Sequence, residues 1–223
     1  MSNPKDRMSR EQKTINVIVV DDHAIVREGV KKLLAETTDI RVRHEAANGN
    51  DAIKLCRDEP FDVLVLDISM PDKNGIDVLK QVKKEHPSSI VLMFSMHPEE
   101  HYAIRALKAG ASGYLNKQCS PKELITAIRQ VASGLKYISP SLAQQLANHI
   151  DEEHQAEPHT SLSDREYQTL VMIASGKAVS VIAKELSLSV KTISEYRSRL
   201  IFKMKLKNNA ELTHYAIKNQ LIE

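Results

Sequence analysis

Asp21 and Asp22 directly follow the apolar run 15–20, Asp67 closes 62–67, Ser95 closes 89–95 and Lys117 closes 112–117. One Asp at the end of an apolar run reads most simply as a turn or cap. The five residues together are far more specific. Three carboxylates in a small space repel one another unless a cation sits among them. Hard oxygen donors in small number suit Mg²⁺, which keeps several of its waters. A cation, a lone carboxylate, a hydroxyl and an ammonium around one point make an anion-transfer site. Mg²⁺ and Lys117 would neutralise phosphoryl oxygens while Asp67 attacks as a carboxylate nucleophile.

For these residues to meet, the runs that carry them must lie side by side and point the same way. INVIVV (15–20) is a continuous β-branched run of the kind buried on both faces of a parallel sheet. A shorter strand is expected near 40–47, and further strands at 62–67, 89–95 and 112–117. Helical spacing of apolar residues lies between them, at 24–37, 49–57, 75–86 and 99–110. Ser120, Pro121 and Glu123 read as cap, first-turn proline and capping box of a fifth helix that stops at Gly134. Five strands alternating with five helices predict an α/β, doubly wound, five-stranded parallel sheet. Ligands of such sheets gather at the carboxyl ends of the strands, where the five candidate residues stand.

The sheet domain is expected over 14–134, after a flexible polar tail. A linker over 135–161 carries a helix near 140–150 and the acidic, proline-containing stretch 151–161. From 162 to 223 the period is purely helical, with helices near 164–175, 179–186, 190–206 and 209–219. This is a small all-α four-helix domain. Ser163 and Glu166 form a capping box, and Ser189 caps the third helix. Ile182, Ala183, Leu186, Val190, Ile193 and Leu200 supply the stripe that locks a helix-turn-helix. The third helix then shows a polar-basic face of Lys191, Ser194, Arg197 and Ser198, followed by Arg199, Lys203 and Lys205. Such a helix fits the major groove of DNA, with phosphates held by its flanks. On the last helix Leu212, Tyr215, Ala216 and Ile217 lie to one side, as residues completing the domain core would.

The charge balance agrees weakly. Residues 1–159 hold 21 Lys and Arg against 23 Asp and Glu, whereas residues 160–223 hold 10 against 6. The positive end is where a polyanion would bind. Cys56 and Cys119 make neither a disulfide framework nor a zinc site. The N-terminus is polar and charged, unlike a secretory signal, and no apolar run approaches the roughly 20 residues of a bilayer span. A reduced cytoplasmic location is expected.

The segments VIVVDDH (17–23), VLVLDISMPDKNG (63–75) and FSMHPEEHYAIRALKAGASGYLNK (94–117) resemble the receiver domain of bacterial response regulators, a flavodoxin-like fold. The resemblance implies that Asp67 is the phospho-acceptor, supplied by a sensor histidine kinase. It implies that Asp22 ligates Mg²⁺ directly, Asp21 mainly through water, and Ser69 through its backbone carbonyl. Ser95 and Lys117 would bind the acyl phosphate, and Tyr114 would be the aromatic switch residue. His23 reads as a surface helix-start residue. Gly75 is expected because the loop after Asp67 bends through backbone angles that glycine tolerates.

Residues 162–217 resemble the helix-turn-helix domain of NarL/FixJ (LuxR-type) regulators, and the whole chain is most similar to the GacA/UvrY branch. By that resemblance Ser194, Glu195 and Ser198 face base edges, while Lys191, Thr192, Tyr196, Arg197, Arg199 and Lys203 mostly hold phosphates. Glu195 departs from the family, where small or uncharged residues are usual. It accepts from cytosine N4 if it faces bases, and weakens binding if it faces phosphates. The expected function is a response regulator whose phosphorylation changes dimerisation and promoter binding. A phosphohydrolase is disfavoured: Asp67 is followed by Ile68 and Ser69, so no second acid stands two residues on, and no insertion interrupts the sheet.

Overall fold

The structure is a computed structural model that describes residues 14–144, 158–219 and 221–222. Strands β1 (Ile15–Val20), β2 (Ile40–Ala46), β3 (Val63–Leu66), β4 (Val91–Ser95) and β5 (Gly113–Asn116) alternate with helices α1 (Ala24–Ala35), α2 (Gly49–Asp58), α3 (Gly75–Glu85), α4 (Glu99–Lys108) and α5 (Pro121–Ala132). All strand pairs are parallel, in the order β2-β1-β3-β4-β5. The expected doubly wound sheet is therefore present. Its strand order reverses between β1 and β3, which opens a crevice at their carboxyl ends.

The period-2 alternation of strand side chains explains the burial. Ile18, Val20, Leu64, Leu66 and Met93 pack to one side, towards α2, α3 and α4. Val17, Val19, Val63, Val65, Leu92 and Phe94 pack to the other, towards α1 and α5. Both faces are covered, so the strands read as unbroken apolar runs. The expected capping box on α5 is only half formed. Ser120 Oγ accepts from the Glu123 N–H, but the Glu123 carboxylate accepts instead from the Tyr137 hydroxyl at 2.9 Å.

After a 3₁₀ turn at Pro158–Ser161 come α6 (Asp164–Ala174), α7 (Val179–Glu185), α8 (Val190–Met204) and α9 (Asn209–Lys218). The Ser163–Glu166 capping box is fully formed. Leu170, Ile182, Ile193, Leu200, Leu212 and Ala216 are fully buried and make the domain core. Between α7 and α8 the chain turns through Ser187 at φ 51°, and Ser189 Oγ caps α8 on the Thr192 N–H at 3.0 Å.

Two expectations change. Val190 is half exposed and outside the stripe. As the first residue of α8 it has no preceding turn to cover it, and it sits roughly 80° around the helix from Leu200. Ile217 also points to solvent, while Tyr215 is half-buried with its hydroxyl 2.9 Å from His159 Nδ1. The 158–161 end of the expected linker is ordered against both domains. Residues 140–144 are helical, and the rest of the helix expected to reach 150 lies outside the described residues, as does the N-terminal tail.

The helical domain docks onto the sheet domain. Asp164 Oδ2 lies 2.6 Å from Lys80 Nζ on α3, and Asp164 Oδ1 lies 3.5 Å from Arg105 on α4. The Arg105 guanidinium also donates to Leu162 O (2.9 Å) and His159 O (2.6 Å), and stacks 4.1 Å above the Tyr167 ring. Tyr102 meets Tyr167 edge-on, with centroids 5.4 Å apart.

Candidate acidic centre and nucleic-acid interface

The parallel ladder runs one residue past the strands and fixes the site residues. Asp21 N–H donates to Ala46 O (3.1 Å), Asp67 N–H to Val20 O (2.9 Å) and Lys117 N–H to Ser95 O (2.8 Å). Asp21, Asp67 and Ser95 are buried, and Asp22 is part-exposed. Lys117 Nζ lies 2.6 Å from Asp21 Oδ2 and 3.1 Å from Asp67 Oδ2. The structure thus gathers Asp21, Asp22, Asp67, Ser95 and Lys117 at the crevice.

One ammonium faces three carboxylates. Asp21 Oδ2, Asp22 Oδ1 and both oxygens of Asp67 are buried with few partners among the described residues: ion contacts with Lys117 and His23, and the Ile68 backbone N–H beside Asp67. Acceptor atoms of Asp21, Asp22, His23 and Asp67 lie within 4.8 Å of one another. A buried surplus of carboxylate oxygen is costly unless a cation offsets it, so the donor set fits a hard divalent ion. Burial pushes the Asp67 carboxyl above its ordinary range; Lys117 opposes this, and Asp21 adds to it. His23 is the residue before α1 and is mostly exposed. Its Nδ1 sits 2.7 Å from Asp22 Oδ1, and its N–H donates to Asp21 Oδ1.

Two residues at the site carried no signal in the sequence. Asp72 accepts from the Gly49 and Asn50 N–H groups, both at 2.9 Å, tying the loop after Asp67 to the N-terminus of α2. Burial opposes its charge, but these backbone donors hold its carboxyl below the ordinary value. His97 is the other. Its N–H donates to Ser95 Oγ (3.3 Å), its carbonyl accepts from the Tyr114 hydroxyl (2.8 Å), and its Nε2 lies 2.8 Å from Ser69 Oγ. Its ring stacks on Tyr102 with centroids 4.4 Å apart. A continuous line of contacts therefore runs from Ser95 and Ser69 through His97 and Tyr102 to Tyr167 of α6. Tyr114 is fully buried, its ring already turned into the domain.

Burial, with His101 and Lys117 adding, lowers the His97 pKa from the ordinary 6.5 to about 4. A depressed folded value means the unfolded chain takes up the proton first. Stability is then full above about pH 6.5 and falls as pH drops towards 4. Between pH 7 and 5 the loss from this residue should be about 2 kcal/mol. Urea unfolding at the two pH values should show that loss in the wild type and a much smaller one in His97→Asn. Equal losses would remove His97 as the source.

Of the expected contact residues on α8, Lys191, Ser194, Glu195, Ser198, Arg199 and Lys203 are exposed. Ser194 and Ser198 donate their hydroxyls to Val190 O (2.8 Å) and Ser194 O (2.9 Å). Glu195 lies 3.9 Å from Arg199. Thr192 and Arg197 are half-buried, and Arg197 Nε is held by Asn209 Oδ1 at 2.7 Å. Lys203 Nζ reaches Glu166 at 2.6 Å, and Tyr196 packs on the domain core. The docked α6 does not cover the outward face of α8. Among the described residues no helix is long and apolar enough to cross a membrane.

Residues 17–129 match the response regulator receiver domain, and residues 160–216 match the luxR family of bacterial regulatory proteins. The chain is 39% identical to the response regulator UvrY of Escherichia coli K12 over 93% of this chain and 95% of that one. It is 36% identical to the response regulator GacA of Pseudomonas aeruginosa over 94% and 98%. Among solved structures, RcsB of Salmonella enterica serovar Typhimurium, bound to promoter rprA in the presence of phosphomimetic BeF3⁻, is 29% identical. It superposes with a TM-score of 0.61 over 91% of this chain and 98% of that one. The acidic crevice, the exposed face of α8 and these matches agree: the chain belongs to the response regulators that join a receiver domain to a LuxR-type DNA-binding domain, on the GacA/UvrY branch.

Proposed function

We propose that this transcription regulator is switched by transfer of a phosphoryl group to Asp67 from the phosphohistidine of a sensor kinase. The observation that carries the reading is the buried surplus of carboxylate oxygens at Asp21, Asp22 and Asp67, met by the single ammonium of Lys117. Asp22, Asp67 and the Ser69 backbone carbonyl would hold Mg²⁺ directly, and Asp21 through water. When bound, that ion supplies charge neutralisation for the phosphoryl oxygens. An Asp67 oxygen attacks phosphorus, a P–O bond forms and the P–N bond to the donor imidazole breaks. Lys117 and Ser95 then contact the phosphoryl oxygens. Beyond taking up and slowly losing its own phosphoryl group, the chain is not an enzyme.

The phosphoryl group competes for Ser95 Oγ, which now accepts from His97. That disturbance passes through His97 and Tyr102 to the contact with Tyr167 and biases the docked domain towards release. Because docking leaves α8 open, release acts by freeing the domains to pair as a homodimer on two half-sites rather than by uncovering the reading face. The structure of RcsB bound to promoter rprA in the presence of phosphomimetic BeF3⁻ supports a link between the phosphorylated state and DNA binding. Regulation takes place in the cytoplasm.

The test is DNA affinity of the full chain with and without Mg²⁺ and acetyl phosphate, with intact mass recorded on the same samples. The expected result is one added phosphoryl group and tighter binding to a promoter duplex. A phosphorylated protein with flat affinity would place the output elsewhere. No phosphoryl group from either acetyl phosphate or a kinase would end the proposal.

Arg197 carries a separate expectation. Its guanidinium is held by Asn209 beside the outward stripe, which supports a phosphate role rather than a base contact. Arg197→Ala should weaken binding to all duplexes alike and reduce the salt slope by about one. Loss confined to one base pair would contradict the phosphate role.

A further inference from the structure

We infer that Phe202, on α8, is a specificity residue that reads the 5-methyl group of thymine in the major groove. The inference rests on the DNA-binding reading above and extends it to a residue outside the expected contact set.

Phe202 is 84% exposed. Single exposed apolar residues are ordinary on protein surfaces, so exposure alone decides nothing. Its position does. Lys191, Glu195, Ser198 and Phe202 follow at intervals of four, three and four, which is one face of an α-helix. Buried Ile193, Leu200 and Met204 occupy the opposite side. The ring shares the face that the outward stripe presents, within one turn of the helix C-terminus.

The flanks choose the occupant. Arg199 and Lys203 border the ring, and Lys205 is the C-cap of the helix. A second copy brought face to face would set like charges together, whereas a polyanion is attracted. On the major-groove edges of the bases the apolar group is the thymine methyl, and apolar side chains contact it there. The rest of the stripe is consistent. Glu195 can only accept, and the hydroxyls of Ser194 and Ser198 are spent on helix carbonyls, leaving their lone pairs outward. Acceptors suit the exocyclic amines of adenine and cytosine. An A·T pair offers both an amine and a methyl. Phe202 stands seven residues past Glu195, roughly 10 Å along the axis, so the methyl it reads lies about three base-pair steps from the pair facing Glu195.

The experiment uses the full chain, with acetyl phosphate and Mg²⁺, and a duplex that the wild type retains from a random-sequence pool. Each thymine in that duplex is replaced singly by deoxyuridine, which removes only the methyl. Wild type should lose roughly fourfold in affinity at one position per half-site, the value of one buried methyl. Phe202→Ala should bind the thymine duplex several-fold more weakly and be indifferent to that replacement. Three results would overturn the inference: a wild type insensitive to every replacement, a Phe202→Ala protein that still senses the methyl, or unchanged DNA affinity in Phe202→Ala with dimer lost in sedimentation. The last would assign the ring to a second copy. A wild type that retains no duplex overturns the DNA-binding reading itself, and this inference with it.

Discussion

Asp67→Ala takes up no phosphoryl group from acetyl phosphate, and its DNA affinity no longer responds to the donor. Lys117→Met is expected to take up the group about 100–1000 times more slowly than wild type, the usual cost of removing one aligned charge-stabilising donor. The two variants should differ in stability as well. Asp67→Ala removes one of three crowded carboxylates, so without metal it should be at least as stable as wild type. Lys117→Met removes the ammonium lying 2.6 Å and 3.1 Å from Asp21 and Asp67 and leaves the carboxylates uncompensated. It should be less stable without metal and gain more from added Mg²⁺ than wild type does. Intact mass over time and thermal unfolding across a Mg²⁺ titration measure both. A Lys117→Met protein phosphorylated at the wild-type rate, or an Asp67→Ala protein that still answers the donor, would sink the scheme.

The acidic centre was legible because its logic is one-dimensional. Each residue stands one or two steps beyond an apolar run, and parallel strands bring such steps together whatever the details of the helices. The β-branched runs of β1 and β3 announce burial on two faces, and two-face burial demands a parallel sheet. Strand order and crevice then follow. The helix-turn-helix was legible for a similar reason: Ile182, Ile193 and Leu200 mark its core by spacing alone, and Ser163 and Ser189 mark helix starts.

What stayed hidden depends on partners distant in sequence. Asp164 reads as a first-turn acid of α6, and it is one. Its further role, facing Lys80 and Arg105, is set by docking onto residues 84 and 59 positions away, for which a lone Asp gives no sign. His97 and Tyr102 likewise look like ordinary residues of a helix entry. Their importance comes from lying between Ser95 and Tyr167 in space. Val190 and Ile217 fit an apolar count but not a buried side, because periodicity ranks a residue by type and cannot see where a helix begins or which neighbour ends.

Gly75 shows how a correct residue can be expected for the wrong reason. Its backbone is not among those with positive φ, so conformational freedom is not what selects glycine there. A Cβ at Gly75 would fall 1.9 Å from the Asp67 carbonyl oxygen and 2.8 Å from Ile68 Cα. Both are backbone atoms, pinned by the Asp67 N–H to Val20 O bond and by the Gly75 N–H donating to Ile68 O at 2.9 Å. Neither α3 nor the acceptor loop can give way without dragging Asp67 from the crevice. Gly75→Ala should therefore cost more than about 4 kcal/mol, a large fraction of the stability of an ordinary domain. Gly29→Ala makes the contrast. Gly29 lies inside α1, and a methyl group added there would meet nothing within 4 Å, so that substitution should stabilise by up to about 1 kcal/mol through helix propensity. Urea unfolding of the two variants should move in opposite directions. If Gly75→Ala unfolds like wild type and still accepts phosphoryl on Asp67, the close approach of α3 to the acceptor backbone does not hold the site together.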